Sequence, residues 1–510
     1  MARAFRGLRT EPLPAYDAVV IGAGIGGLVC ANLLARDGLK VLLVEQHYMV
    51  GGYCSTFRRN GYTFDAGTHF YPLLGNPQTI SGKLLRDLGI ATEWIKMDPV
   101  DHFHLPDGSR FEVPADFDRY LAKLKTEFPH EAAALDEFFA LARNAYLYGL
   151  LYHVRGQDTG WLAQHSGLNL KETLERYFRD PRLRLLLCAD CAHWGSRPGR
   201  TAFVADSMLR FAYFLGNYYP KGGSQAFSDE LARRFEERGG HILMSSEITR
   251  ILTRNGTATG VEIMAGTGRS KRMVRVRAEA VVSNADLRST IDKLIGRDQL
   301  EADYLRPIDE LRPSMPCFVT HIGLKNIDTA VLRAAAGYHL PQWDLNEVVT
   351  SGFKMFVPTL FAPELAPPGG HIVVVQKLTD VNYDEMTDWP AHKAAVESEI
   401  LCNLERLMPG FHEKIVVCLS ASALTSWRYT RNYQGAMLGW EMSPEQFGER
   451  RPGICGPLRN LFFTGHWTQP GGGITMVVIS AMRVAAAIRT GFETRDVPAP
   501  IYTNASARQS

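Results

Sequence analysis

The apolar residues at the start of this chain alternate with turn signals in a strand, turn, helix, strand rhythm. In YDAVVIGAGIGGLVCANLLARDGLKVLLVEQ, the short apolar run Ala18 to Ile21 predicts a buried strand. The turn Gly22-Ala23-Gly24-Ile25-Gly26-Gly27 follows it. A helix is predicted from Leu28 to about Asp37, with Gly38 placed to end it, and a second strand from Lys40 to Val44. Two later stretches, FFALARNAYLYGLLYHV from Phe138 and MLRFAYFLGNYYP from Met208, are apolar and aromatic with few charges. Such stretches pack in a core, line an internal apolar cavity or lie in a bilayer interface. No uninterrupted apolar run reaches the roughly 18 residues of a transmembrane helix. The chain is therefore expected in the cytoplasm, either free or at a membrane surface.

Composition narrows this picture only a little. The 510 residues exceed one ordinary domain, and 45% hydrophobic with 22% charged residues is a common globular balance. A formal charge of +2, with no Lys/Arg run, points away from nucleic acid as a partner. The eight cysteines are scattered, and the pair Cys188 and Cys191 has no second pair to complete a metal site, so both are expected as small buried residues. No metal is expected. The termini, 1–14 and 491–510, are expected to be flexible: the first carries Arg3, Arg6 and Arg9 without an apolar signal core.

The first glycine turn carries the strongest chemistry. Gly22 permits a tight strand-to-helix turn, Gly24 lets backbone approach a pyrophosphate, and Gly27 lets the helix pack on the sheet. The helix start offers free N–H groups and a positive dipole end to phosphate. Glu45, eighteen residues past Gly27, stands where a carboxylate accepts hydrogen bonds from a ribose diol, which disfavours a 2′-phosphate. Gln46 follows it, and then a second glycine pair, Gly51 and Gly52, with Ser55 and Thr56 behind. These extra donors suit a cofactor reaching past its pyrophosphate, FAD rather than NAD. Arg58 and Arg59 stand either beside the cofactor or on a solvated hairpin.

DAVVIGAGIGGLVCANLLARDGLKVLLVEQHYMVGGYCST resembles the N-terminal signature of the FAD-dependent amine-oxidase-like flavoproteins. Within these it is most similar to the phytoene desaturase, carotenoid isomerase and retinol saturase group. FDAGTHFYP, YYPKGGSQAFSDELARRFEERGGHILMSSEITRIL, AVVSNADL, GAMLGWEMSPEQF and NLFFTGHWTQPGGGITMVVISAMRVAAAI extend the resemblance over most of the chain.

The resemblance implies an α/β (α+β) architecture: a Rossmann-type FAD-binding domain of glutathione-reductase-like kind with an interleaved substrate domain of mixed sheet and helices. The FAD domain is expected to be discontinuous, 15–110, 215–300 and 430–490, with 111–214 and 301–429 forming the substrate domain. Pro220 to Gly223 would cap a helix from Ala226 to Arg238, and HILMSSEITRIL would run as one strand bringing backbone near Ile248 to the adenine. Asn284 would return towards the FAD. At the other end of the chain NLFFTG would be a strand ended by Gly465, with Gly472, Gly473 and Ile474 opening a last helix, Ile474 to Ile488, whose N-terminus faces the flavin ring.

Four residues are expected near the ring: His69, His466, Trp467 and Trp440. Asp190 and His193, one helical turn apart, form either an acid–base pair or a helix-surface pair. The implied reaction is hydride exchange at flavin N5 with a C–C or C=C bond of an apolar isoprenoid polyene, as desaturation, isomerisation or saturation, with an external electron acceptor or donor. Two other readings of the residues are an FAD oxidase of a different small or lipid substrate, such as an amine, and a non-catalytic flavin-binding scaffold.

Overall fold

The computed structural model describes residues 11–156, 160–268 and 271–494; the terminal stretches 1–10 and 495–510, expected to be flexible, lie outside the described residues. Two seven-stranded sheets organise the chain. The first runs in the order Glu247–Arg254, Thr257–Ala265, Arg272–Ser283, Ala15–Ile21, Val41–Val44, His241–Leu243, with Leu461–Phe463 also pairing Arg272–Ser283. The hub is the long strand Arg272–Ser283. Its first half pairs antiparallel with Thr257–Ala265, and its second half pairs parallel with Ala15–Ile21 and with Leu461–Phe463. Strands from near the chain's two ends thus flank Arg272–Ser283 in one sheet.

Why the first strand reads as a continuous apolar run is visible in its packing. Ala18 and Val20 face one core with the helices Ile25–Arg36, Ser224–Glu237 and Ile474–Thr494, while Val19 and Ile21 face a second core with Ile263, Trp440 and Trp467. A strand buried on both faces has no polar side to alternate with. Gly38, at φ 87°, ends the helix Ile25–Arg36: its N–H bonds the Ala35 carbonyl and that of Leu39 bonds Leu34, closing the turn as a left-handed residue does.

The second sheet runs Ile415–Ala421, Cys317–Lys325, Gly370–Leu378, Phe353–Phe356, Gly337–His339, Asp101–His104, Arg110–Val113. Along Gly370–Leu378, Val373 and Val375 pack in one core with the helix Trp389–Leu407, and Ile372 and Val374 in the other. That other core holds the helices Ala132–Arg155 and Phe203–Phe214, into which the two aromatic stretches fold. Strand Asp101–His104, inside the expected 15–110 segment, pairs within this second sheet.

Two element expectations are corrected. HILMSSEITRIL is two strands, His241–Leu243 and Glu247–Arg254, because Ser245 takes φ 49° and turns the chain from one neighbour to another. The last helix continues to Thr494, so the chain is helical at 491–494. Its segment Ile474–Gly491 has a mean hydropathy of 1.4, enough by length and composition to cross a membrane. Here Val478, Ala481, Val484 and Ile488 are buried in the core they share with Leu28 and Leu34 of the first helix, the position of a core helix.

Candidate functional site

A cavity of about 660 Å³ runs between the two sheets, and both glycine clusters open into it. At one end stands the first turn. Gly22 leaves the strand at φ 90°, and Gly24, Ile25 and Gly26 line the cavity at the start of a helix that has no side-chain cap. The first-turn N–H groups are therefore turned to the cavity, where an anion is favoured. A Cβ on Gly26 would sit 2.6 Å from Asn284 Oδ1 and 3.1 Å from Gly465 Cα, so side chains are excluded where three segments meet. Gly27 lies behind the lining. Its Cβ would fall 2.0 Å from the Gly22 carbonyl, and its absence allows the helix to close on the strand.

Glu45 lines the same end, 9% exposed. Its Oε2 accepts the Ala23 N–H at 2.7 Å and its Oε1 the His47 N–H at 2.8 Å. Burial raises its pKa, and these backbone donors oppose the rise. Each oxygen keeps a second lone pair for a diol. Gln46, Gly51, Gly52, Ile248 and Asn284 complete this part of the wall, with the Gly51 N–H bonded to the Ala23 carbonyl at 2.8 Å.

The C-terminal cluster supplies another wall: Gly465, His466, Gly472, Gly473 and Ile474. Gly465 (φ 95°) and Gly473 (φ 100°) both require the left-handed region. Behind this loop is Arg451, 1% exposed, which donates from Nη2 to the carbonyls of Trp440 at 3.0 Å and His466 at 2.8 Å. Burial pulls its pKa down to about 9. His466 faces Asn432 Oδ1 from Nε2 at 3.3 Å, and burial, reinforced by Arg451, pushes it down to about 3.

Besides Gly27, four expected site residues lie off the cavity. Trp440 and Trp467 form an edge-to-face pair, centroids 4.8 Å apart, in the core behind the loop, and Trp467 Nε1 donates to Asn432 Oδ1 at 3.1 Å. Both indoles are buried in the core with Leu461 and Phe463 and are absent from the cavity wall. Ser55 and Thr56 hold the hairpin instead: the Ser55 carbonyl accepts Ala66 N–H, and Thr56 N–H donates to Gln225 Oε1 at 3.2 Å. Arg58 and Arg59 are exposed on that hairpin, Arg59 Nη1 donating to the Arg58 carbonyl.

His69 does line the cavity, within a polar cluster that the sequence did not announce. His193 Nδ1 is 2.5 Å from the Tyr213 hydroxyl, and its Nε2 is 2.6 Å from the Tyr338 hydroxyl and 3.3 Å from His69 Nε2. Burial drives His193 well below the usual imidazole range and His69 to about 3, with the Lys354 charge adding to both. Both rings are neutral at pH 7. Lys354, itself buried, is ion-paired with Asp101 and lies 4.5 Å from the Tyr338 ring centroid. Asp190 takes no part in a pair with His193: residues 191–194 form a tight 3₁₀ turn that aims the imidazole into the cavity, towards Tyr213 and Tyr338. One local signal for this cluster exists, a lysine inside the apolar run GFKMFV.

Comparison with known proteins places this geometry. A family model described as flavin containing amine oxidoreductase matches residues 25–489. Prolycopene isomerase of Daucus carota is 27% identical over 505 residues, covering 92% of this chain and 80% of the relative. All-trans-retinol 13,14-reductase of Danio rerio is 25% identical, covering 88% and 82%. The neurosporene-forming phytoene desaturase of Rhodobacter capsulatus is 26% identical, covering 92% and 93%. An oxidoreductase of Methanosarcina mazei has the same fold, with a TM-score of 0.65 at 19% identity over 92% of this chain and 99% of its own.

Proposed function

This chain belongs to the flavin-containing amine oxidoreductase family and is an FAD-dependent oxidoreductase; on that footing we propose that it acts on a C–C or C=C bond of a long, apolar isoprenoid polyene. The residues fit the cofactor. A cradle from which Cβ atoms are excluded at Gly26 and Gly51, an uncapped helix start and a buried acceptor at Glu45 are what an adenine dinucleotide requires. Gly22, Gly24, Gly26, Gly51 and Gly52 would hold the pyrophosphate, Glu45 and Gln46 the ribose, Ile248 the adenine, and Asn284, Gly465, Gly472, Gly473 and Ile474 the flavin end. Bound there, the flavin supplies hydride exchange with a substrate carbon.

The observation that carries the substrate reading is the continuity of the cavity. It passes from the glycine turns to Tyr146, Leu150, Met208, Leu209 and Ala212 on the two long apolar helices. A chain without polar handles is held there by burial, at about 25 cal/mol per Å². The carboxylates of the lining, Glu45, Glu247 and Asp286, all belong to the glycine-turn end, and Asp286 already accepts the N–H groups of Ser289 and Tyr433. An ammonium group at the far end would meet no lining carboxylate, which weighs against an amine. The names of the relatives, spanning isomerase, reductase and desaturase, support a polyene without choosing among the three.

Expression in bacterial hosts that accumulate phytoene, lycopene or retinol tests the reading, with product masses and retention times as the measurement. Loss of two hydrogens would make the enzyme a desaturase, gain of two a saturase, and an unchanged mass at a new retention time an isomerase. Unchanged pigments in every host, with FAD bound in the purified protein, would overturn it.

A further inference from the structure

Resting on the polyene reading, we propose that Tyr213 and Tyr338, bridged by His193, form a subsite that donates one hydrogen bond to a hydroxyl or carbonyl oxygen of the substrate. The argument is a count of hydrogens. The two phenols are 6% and 2% exposed, and both line the cavity with His193. Among the described residues each phenol has the imidazole as its one hydrogen-bond partner, at 2.5 Å and 2.6 Å. A neutral imidazole brings one N–H and one lone pair, and the phenols bring two O–H groups. Two bonds consume two of these three hydrogens. If Nδ1 carries the proton, Tyr213 accepts and its own hydrogen is unspent; if Nε2 carries it, Tyr338 is the one left over. In either tautomer one buried phenol hydrogen has no acceptor in the cluster.

The surroundings select the ligand. Phe70 packs edge-on to His193 at 5.0 Å between centroids, and Phe356 lies 5.3 Å from His69, so the spare hydrogen sits among apolar walls, where an unmet donor is costly. Lys354 is neutralised by Asp101, leaving no free positive charge for a carboxylate. The group that fits is a neutral oxygen on an otherwise apolar chain. A pure hydrocarbon would strand the donor, so the cluster distinguishes oxygenated polyenes from carotenes of similar shape.

The test is ligand titration of the FAD-bound full-length protein, read by perturbation of the flavin absorbance. The probes are all-trans-retinol, the same C20 polyene with a methyl group in place of CH₂OH, and the corresponding carboxylic acid. The alcohol is expected to bind roughly tenfold more tightly than the hydrocarbon, the effect of one net hydrogen bond. In the double variant Tyr213→Phe/Tyr338→Phe that ratio should fall to about one. Equal binding of alcohol and hydrocarbon to the unaltered protein would overturn the subsite and leave the polyene reading standing. Tighter binding of the acid than of the alcohol would also overturn it. Failure of every polyene to perturb the flavin would overturn both. The comparison on the unaltered protein needs no variant to fold.

Discussion

His153 isolates, in one side chain, the effect of burying a titratable ring. It sits in the helix Ala132–Arg155, fully buried, edge-on to Phe447 at 5.3 Å, and neither nitrogen has a hydrogen-bond partner among the described residues. Burial, with Arg483 and Arg451 adding to it, lowers its pKa to about 3. The unfolded chain takes up this proton near the ordinary histidine value of about 6.5. Between those values the unfolded state holds more protons than the folded one, so stability rises with pH across the window and is lost as pH falls below about 6.5. Each such histidine contributes a slope of about 1.4 kcal/mol per pH unit, and His69 and His466, also held near 3, share it. His153→Phe removes one share. Relative to the unaltered protein, the variant should gain on the order of 2 kcal/mol between pH 7 and pH 5. Urea unfolding at pH 7, 6 and 5 measures it, and parallel curves for the two proteins would mean that His153 is not buried neutral.

At the scale of elements, the informative contact is where the helix Ile25–Arg36 begins against the ends of two strands, Arg272–Ser283 and Leu461–Phe463. In Gly26→Ala the new methyl would meet Asn284 Oδ1 at 2.6 Å and backbone of Gly465 at 3.1 Å. Asn284 is tied to the Gly22 carbonyl at 3.3 Å, and backbone cannot step aside, so the helix start must move off the cavity wall. An overpacking cost of about 1–3 kcal/mol corresponds to a loss of FAD affinity of roughly fivefold to a hundredfold. Flavin absorbance per protein after gel filtration should fall accordingly, whereas Gly167→Ala, whose Cβ meets nothing within 4 Å, should retain full flavin. This junction was legible in the sequence because its parts are local: a strand, a glycine turn and a helix follow one another within about thirty residues. The hinge at Ser245 was not, since serine carries no signal for a positive φ. Trp440 and Trp467 were misjudged because nearness in sequence to a cavity loop does not say which face of it a side chain takes. Tyr213, Tyr338 and Lys354 come from an aromatic helix and two short strands of the second sheet, and no spacing along the chain joins them to His193.

The whole molecule is stitched at the cavity by segments from both ends and the middle of the chain: Gly22, Gly24 to Gly26, Glu45, Gln46, Gly51, Gly52, Ser246 to Ile248, Asn284, Gly465, His466 and Gly472 to Ile474 reach it. A ligand that touches all of them binds the folded state alone, since the unfolded chain does not bring them together, and it stabilises by RT ln(1 + [L]/Kd), about 2.7 kcal/mol at a hundred times Kd. The stabilisation should not spread evenly. The strands that meet the cofactor site pair within the first sheet, while Cys317–Lys325 and Gly370–Leu378 are held by each other and by the helix Trp389–Leu407. Stripping the protein of FAD should therefore lower its melting temperature, and added FAD should restore it, rising with the logarithm of FAD concentration above Kd. Hydrogen exchange should quicken at the start of the helix Ile25–Arg36 and around Gly465 to Ile474, and stay slow in Cys317–Lys325. Local opening of this kind follows the contacts each unit keeps without the ligand. Uniform loss of protection through both sheets would mean that the cofactor holds the whole chain as one cooperative unit. Unchanged exchange at the two glycine clusters would mean that the cavity wall is formed without it and that strand pairing along Arg272–Ser283, not the FAD, holds the first sheet together.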